Sequence, residues 1–491
     1  MLKGKKICKK KIVLAVLLWF VVVGVYHYNK PLPEMVSYES EVYEVPANRV
    51  QFLEDRTFLN SDGERVSEQE IFDTLFTMID EADSYILIDL FLFNDFTGIE
   101  TTSYRALSQE LTDKLVEKKK DNPEVVIQFI TDPINTFYGS IDSVHVKALR
   151  DAGVIVTITD LTKLRDSNPL YSPFWRTFIQ WFGNSSKTAY IPNPLHGSGD
   201  KISLRSFLGS LNFKANHRKV VVTDYVHEGG TGYKTLILSA NPHDGSSAHS
   251  NIAVVTDWFI WEDIIKTERS VVEFSGGEFI EPTTEFTYVD GVYDTVSLKV
   301  LTESKIKDAM LALIDSLEEG DALDMAMFYI GERDVMKALK EADERGVTLR
   351  LLFDPNKDAF GREKDGVPNR PVAHELASHT KGNTTIRWCD THGEQCHAKL
   401  LLAKRGDETV LIQGSGNISK RNIGDFNLET NIEITGDGSE QVFIDAYDFF
   451  NDQWNNEDER SYSVSYDIYK DESLFKTLKY RWGEFSGFSR W

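Results

Sequence analysis

Hydrophobic positions along the chain alternate between a helical period and dense apolar runs. From Glu68 to Asp83, Ile71, Leu75, Met78 and Ile79 recur at helical spacing, and Tyr85 to Phe93 then reads as a buried strand. A helix over about 104–119 leads to the strand Val125–Ile130, and a helix near Ser143–Asp151 leads to the strand Val154–Thr159. Helix and strand taking turns in this way predict α/β layers with a largely parallel sheet.

The order then starts again. Helix Lys305–Leu317 precedes strand Ala322–Tyr329, helix Glu332–Arg345 precedes strand Val347–Phe353, and helix Val372–Ala377 precedes strand Thr384–Trp388. Both passes end a hydrophobic strand in Asp-Pro followed by a glycine: Asp132-Pro133 with Gly139, and Asp354-Pro355 with Gly361. This internal duplication predicts two halves, 61–275 and 295–460, with a linker over 276–294 and a C-terminal extension over 461–491. The first half is longer by an insertion over 161–213, which holds the aromatic run Tyr171 to Phe182. Aromatics so dense suit a membrane interface or an apolar channel, but packing between the halves is their commoner use and is the expectation here.

Ahead of both halves stand Lys3, Lys5, Lys6, Lys9, Lys10 and Lys11, followed by an uncharged apolar run from Ile12 to about Tyr28. The run falls at the lower edge of a transmembrane helix, roughly 17–25 residues. Its exit, Tyr26 to Lys30, has no small-x-small cleavage site, so an uncleaved anchor over 1–30 is expected, with a Pro-containing linker over 31–60. The basic flank should stay cytoplasmic, which puts the rest of the chain on the extracytoplasmic side of the cell membrane.

Composition narrows the picture. The chain has 491 residues, too many for one ordinary core, and its 41% hydrophobic and 12% aromatic content is that of a folded protein. A formal net charge of −23 argues against a nucleic-acid partner, since phosphate backbones are bound by Lys and Arg. Three cysteines are too few for a disulfide scaffold.

The candidate chemistry lies in a doubled motif. Asn216-His217-Arg218-Lys219 begins a strand that reaches Asp224, and Ser239-Ala240-Asn241 follows; Cys396-His397-Ala398-Lys399 is followed by Gly414-Ser415-Gly416-Asn417. Residues two apart on a strand share a face, so each histidine projects with its lysine. Two such pairs have the parts for phosphoryl transfer. One imidazole attacks phosphorus, the other protonates the leaving oxygen, and lysines with Ser/Asn pairs hold the non-bridging oxygens. That scheme calls for no metal or other cofactor.

With these motifs the sequence resembles the phospholipase D superfamily, whose signature is His-x-Lys, four residues, Asp, then Gly-Ser-x-Asn, in two copies. The resemblance spans about residues 60–455 and implies two pseudo-symmetric α/β/α sandwich halves meeting at one cleft, here preceded by one N-terminal transmembrane helix. It implies a phosphohistidine formed on His217, with His397 as general acid and then base, and Lys219 and Lys399 binding phosphate. Asp224 is expected with them in the catalytic set, Ser239, Asn241, Ser415 and Asn417 are expected to bind or support the substrate phosphate, and Asn251 and Glu429 (Glu433 as fallback) to orient the imidazoles. Two positions depart from the signature: Leu238 replaces the first Gly, and Lys404 stands where the second motif should have Asp. Lys404 leaves room for a degenerate half, although the family Asp supports the site more than it reacts.

Other groups carry less. Cys389, His392, Cys396 and His397 have zinc-like spacing, but a metal-bound His397 could not shuttle protons. A Cys389–Cys396 disulfide bracketing a tight loop and two free thiols both stay open. Asp354 to Asp358 begins like a calcium loop, yet Ala359 stands where the turn needs Gly, so it is set aside. His145, His196, His374 and His379 read as surface or cleft residues, and His243 and His249 as loop residues near the chemistry with no proton assigned. The function expected is a membrane-anchored phosphodiesterase cleaving phospholipid by hydrolysis. Phosphatidyl transfer of the cardiolipin synthase type is the alternative, followed by a nuclease of the superfamily and a non-catalytic lipid- or envelope-binding protein.

Overall fold

In a computed structural model that describes residues 2–98, 104–184, 186–195, 199–227, 230–283 and 294–489, two large sheets face each other across a pair of helices. The side chains of residues 2–8 and Ala359 lie outside that description, as do His196 and residues 284–293 of the expected linker. The first sheet has the strand order Arg65–Gln69, Val50–Leu59, Asn251–Thr256, Gly230–Leu238, Lys219–His227, Tyr85–Leu90, Val126–Thr131, Ile155–Ile158. The second runs Tyr43–Pro46, Thr295–Thr302, Thr430–Asp437, Glu408–Gly414, Lys399–Arg405, Ala322–Met327, Thr348–Phe353, Thr384–Cys389, Ser463–Ser465. From the second strand onward the two orders are the same topology twice, apart from the edge strand Ser463–Ser465.

Only the three strands alternating with helices are mutually parallel in each sheet. The motif strands run antiparallel to their neighbours, so the expectation of a largely parallel sheet is corrected to two mixed sheets. The reason is local. Lys399–Arg405 returns as Glu408–Gly414 across Gly406 and Asp407 alone, and a parallel return needs a crossover of a dozen residues or more.

Alternation along the motif strands builds the layers. Val220 and Val222 face the core between the sheets while Val221 faces the outer helices Ile71–Glu81 and Leu107–Asp121. Leu400 and Leu402 likewise point inward, and Leu401 and Ala403 point to Ser304–Ser316 and Arg333–Arg345. Helices Trp261–Phe274 and Gln441–Asn455 fill the shared layer. Each half is therefore an α/β/α sandwich.

Residues 31–60, expected as a linker, hold two strands. Tyr43–Pro46 pairs with Thr295–Thr302 of the second sheet, and Val50–Leu59 lies in the first. The N-terminal helix Leu2–Asn29 includes a stretch, Lys9–Asn29, long and apolar enough to cross a bilayer. The aromatic insertion lies against this helix and not between the halves. Phe178 packs on Phe20 with ring centroids 5.7 Å apart, and Trp19 Nε1 donates to Thr177 Oγ1 at 3.2 Å. Trp175 is buried, but Phe174, Phe178, Trp181 and Phe182 are exposed, so the packing expectation fails for most of the run. The inter-sheet space is already filled by the two shared helices.

Candidate active site

Both motif histidines stand just before their strands, and each is held by the opposite half. His217 N–H donates to Leu428 O at 2.9 Å, and its Nδ1 lies 2.8 Å from Glu429 Oε2. His397 N–H donates to Ser250 O at 2.8 Å, and its Nδ1 lies 3.0 Å from Asn251 Oδ1. Asn251 Nδ2 donates to His249 O, which turns its oxygen toward His397. The orienting pair is Asn251 and Glu429; the fallback Glu433 pairs instead with Lys299.

The surroundings repeat with the same symmetry. Phe91 packs edge-on to His217 and Phe328 tilts against His397, each with centroids 4.8 Å apart. Lys219 Nζ sits over Phe91 and donates to His217 O at 2.8 Å; Lys399 Nζ sits over Phe328 and donates to His397 O at 2.6 Å. Asn241 Oδ1 accepts from Leu92 N, while the buried Oδ1 of Asn417 has no partner among the described residues. Ser239 Oγ donates to Asn251 Oδ1 and Ser415 Oγ to Glu429 Oε2. Both serines also accept from backbone N–H groups, of Ile252 and Thr430. The two hydroxyls therefore fix the groups that hold the histidines and are not aimed at a phosphate.

Asp224 is a correction to the expected set. It lies toward the far end of Lys219–His227, where its carboxylate accepts from the backbone N–H groups of Asp83, Ser84 and Tyr85 and from Ser84 Oγ. It ties the strand to the start of its neighbour, away from the cleft. Lys404 at the matching place is exposed, and the equivalent turn closes on itself through Glu318 N–H donating to the Asp321 carboxylate. The missing Asp thus leaves the cleft untouched. The missing Gly has as simple an account. Gly414 adopts φ 152°, where a Cβ would meet Thr430 O, whereas Leu238 continues an ordinary strand pairing with Ala253.

Sequence reading missed four contributors. Asp132 Oδ2 accepts from Asn216 N at 2.7 Å and Asp354 Oδ2 from Cys396 N at 2.9 Å, so the repeated Asp-Pro fixes the residue before each histidine. The repeat itself was the signal. Arg421, buried beside the cleft, donates to Phe213 O at 2.8 Å and to Ser489 Oγ. His249 is buried with its ring 5.8 Å from that of His397 and its Nε2 without a partner among the described residues. Cys389 and Cys396 form a disulfide, Cα atoms 6.2 Å apart, immediately before His397. With the two sulfurs bonded to each other they are not zinc ligands, and His392 instead faces Asp390. Among the lone histidines, His145 is a buried core residue against Phe93, not a surface one.

Burial sets the electrostatics. It lowers His217 well below the usual imidazole range, helped by the charges of Lys219, Lys399 and Arg421. His397 is lowered by burial and then by Lys399, His249, Lys219 and His217, so groups from both motifs act on one another. Burial pushes Lys219 down to about 7 and Lys399 well below its ordinary value, and it pushes Glu429 up to about 8. A buried cluster of neutral imidazoles and reluctant ammonium groups is one that a phosphate anion would stabilise.

Residues 310–454 match the family described as cardiolipin synthase, PLD-like domain, a span containing the whole second motif. That match places residues 310–454, in the second half, in a PLD-like domain family. The fold of the chain is similar to that of phosphatidylserine synthase from Haemophilus influenzae Rd KW20, with TM-score 0.53 at 10% identity over 96% of this chain and 98% of that one. Polyphosphate kinase from Porphyromonas gingivalis gives TM-score 0.46 at 10% identity, covering 89% of this chain and 52% of that one. The phospholipase D family member Nuc from Salmonella typhimurium gives 0.27 at 19% identity, covering 34% and 97%. Comparison with curated proteins finds no match.

Proposed function

We propose that this chain is a membrane-anchored enzyme of the phospholipase D type that cleaves the headgroup phosphodiester of a phospholipid through a phosphohistidine on His217. The observation carrying the assignment is the unequal support of the two imidazoles: a carboxylate at His217 Nδ1 and a neutral amide at His397 Nδ1. Glu429 can take up the positive charge that builds on His217 when Nε2 bonds to phosphorus. Asn251 only orients His397, which leaves the imidazolium a stronger acid for the departing oxygen. In the first step the Nε2–P bond forms, the P–O bond to the headgroup breaks, and His397 gives its proton to that oxygen. In the second, His397 removes a proton from the incoming hydroxyl, whose oxygen displaces Nε2 from phosphorus. Lys219 and Lys399, with Asn241 and Asn417 nearby, hold the non-bridging oxygens.

For the incoming hydroxyl we propose an alcohol, so that the reaction is phosphatidyl transfer ahead of simple hydrolysis. The family description, cardiolipin synthase, supports that order, and so does the name phosphatidylserine synthase of the similar fold. The apolar stretch Lys9–Asn29 supports membrane anchoring, and its lysine-rich start supports an extracytoplasmic catalytic part. The test uses full-length protein in vesicles of phosphatidylglycerol labelled in the phosphoryl group, without divalent metal. Wild type is expected to form cardiolipin and to carry acid-labile label on His217, and His217→Ala to lose at least about a thousandfold in rate. Phosphatidate as the sole product would return the function to hydrolysis; label on His397 alone would reverse the two histidines.

A further inference from the structure

The C-terminal helix Leu474–Ser486 carries an apolar face that nothing among the described residues covers. Leu474, Phe475, Leu478, Trp482 and Phe485 each expose more than half of their surface, and Phe488 continues the patch just beyond the helix. At the helical period these five positions fall within a sector of about 100°, while Tyr480 and Gly483 are buried. Lys476 and Lys479 lie off the stripe. An aromatic stripe beside basic residues is the composition of a helix lying in a membrane interface.

The neighbours of this helix identify what would cover the stripe. A Cβ on Gly487 would meet Ser167 O, so the helix end sits directly on the chain at Ser167. One residue earlier, Asp166 N–H donates to His27 O in the last turn of the N-terminal helix. Pro173 packs on Gly24 of that helix, and the exposed Phe178, Trp181 and Phe182 follow. A cavity of about 580 Å³ has Tyr28 and Asn29 on one wall and Arg481, Glu484 and Phe485 on another. The uncovered apolar groups of the C-terminal helix are thus continuous with the place where the apolar N-terminal helix ends.

We propose that Leu474–Ser486 is a second membrane contact: an interfacial helix that lies on the same bilayer the N-terminal helix enters. It reaches the cleft through Arg421, which donates to Ser489 Oγ and to Phe213 O, with Phe213 packed edge-on to Phe488 at 5.3 Å. Seating the helix on the bilayer turns the Arg421 side of the cleft toward lipid, whereas Val226 is exposed near the end of Lys219–His227 that lies away from His217. This rests on the reading of the N-terminal helix as a membrane anchor.

The experiment places one thiol at a time in full-length protein with Cys8→Ser, by Leu17→Cys, Leu478→Cys or Val226→Cys, and attaches a nitrobenzoxadiazole probe. Reconstitution is into vesicles of phosphatidylcholine and phosphatidylglycerol, with quenching by doxyl-labelled lipid and by iodide. The probes at 17 and 478 are expected to be quenched by lipid and shielded from iodide at least about threefold relative to that at 226. Lipid quenching at 17 without quenching at 478 overturns the inference and leaves the anchor standing. Quenching at neither overturns the anchor reading and the inference with it. Disulfide cross-linking between two copies of the unlabelled Leu478→Cys protein in vesicles assigns the stripe to a second chain and also overturns it.

Discussion

Glu429 can carry a negative charge and Asn251 cannot, and that difference separates two histidines that the sequence motif presents as equals. With Gln in place of Glu429 the hydrogen bond to His217 can persist, but the charge that would support the proposed phosphoimidazolium is gone. Glu429→Gln is therefore expected to lower kcat by on the order of 10²-fold or more with little change in KM, read from initial rates on vesicle substrate. Lys219 makes a pH prediction. Burial holds it at about 7, so it is charged below that pH and neutral above, and a bound anion is favoured by the charged form. Inhibition by sulfate, whose own charge is constant over this range, should weaken by up to about tenfold per pH unit above 7. Lys219→Arg keeps its charge throughout and should flatten that rise; an unchanged slope would exclude Lys219 as its source. At this scale the doubled motif gave the histidines and lysines that the structure brings together, and the Asn and Glu side chains that lie against the imidazoles. It could not distinguish Ser239 and Ser415 as supports from phosphate binders, since that depends on which way a buried hydroxyl points.

At the level of strands and helices, Asp224 and Lys404 occupy matching places and do opposite things. Asp224 satisfies three backbone N–H groups of the neighbouring strand's entry; Lys404 points to solvent above a turn that closes through Asp321. Asp224→Ala leaves those donors without their acceptor and is expected to cost about 1–3 kcal/mol in urea unfolding. Lys404→Asp should change the rate by less than about twofold. An inactive Asp224→Ala protein that is folded and fully stable would contradict this division. The periodicity of the chain gave most helices and strands and their order, because amphipathic spacing is a local property. Sheet direction was misread because it is set by the two-residue return after Arg405 and not by the alternation upstream of it. The strands in 31–60 were hidden in a stretch expected as linker. The C-terminal helix escaped notice because its apolar stripe faces outward, where periodicity alone does not reveal a partner.

Across the whole molecule, one of the links between the two halves is a motif arginine whose place in the second copy is taken by an alanine. Arg218, between His217 and Lys219, is fully buried on the side away from the cleft, where the second half has only Ala398. Its guanidinium reaches Glu268 at 2.9 Å, Glu303 at 2.9 Å and Val36 O at 3.1 Å, so it contacts the first half, the second half and the segment leading from the N-terminal helix. Glu303 in turn accepts from the backbone N–H of Glu429, the residue that holds His217. One arginine thus links the inter-half junction to the residue that holds His217. Burial raises Glu303 to about 8 despite this partner, so without Arg218 two buried carboxyl groups would lose their counter-charge together. Arg218→Met keeps most of the volume and removes the charge, and it is expected to cost about 3–5 kcal/mol because it strands Glu268 and Glu303. The sign with pH follows. Glu303 is raised to about 8 with Arg218 present, and losing that partner raises it further, so the stability deficit of Arg218→Met is largest above pH 8, where wild type holds Glu303 ionised. It should shrink as pH falls through about 8 and level off below, where both folded proteins hold the proton. Adding Glu303→Gln should recover part of the loss at pH 9.5, because it removes a carboxyl that has lost its counter-charge. Urea unfolding of wild type, single and double variants at pH 9.5 and pH 6.5 measures this directly; a deficit equal at both pH values would mean that Arg218 contributes packing alone.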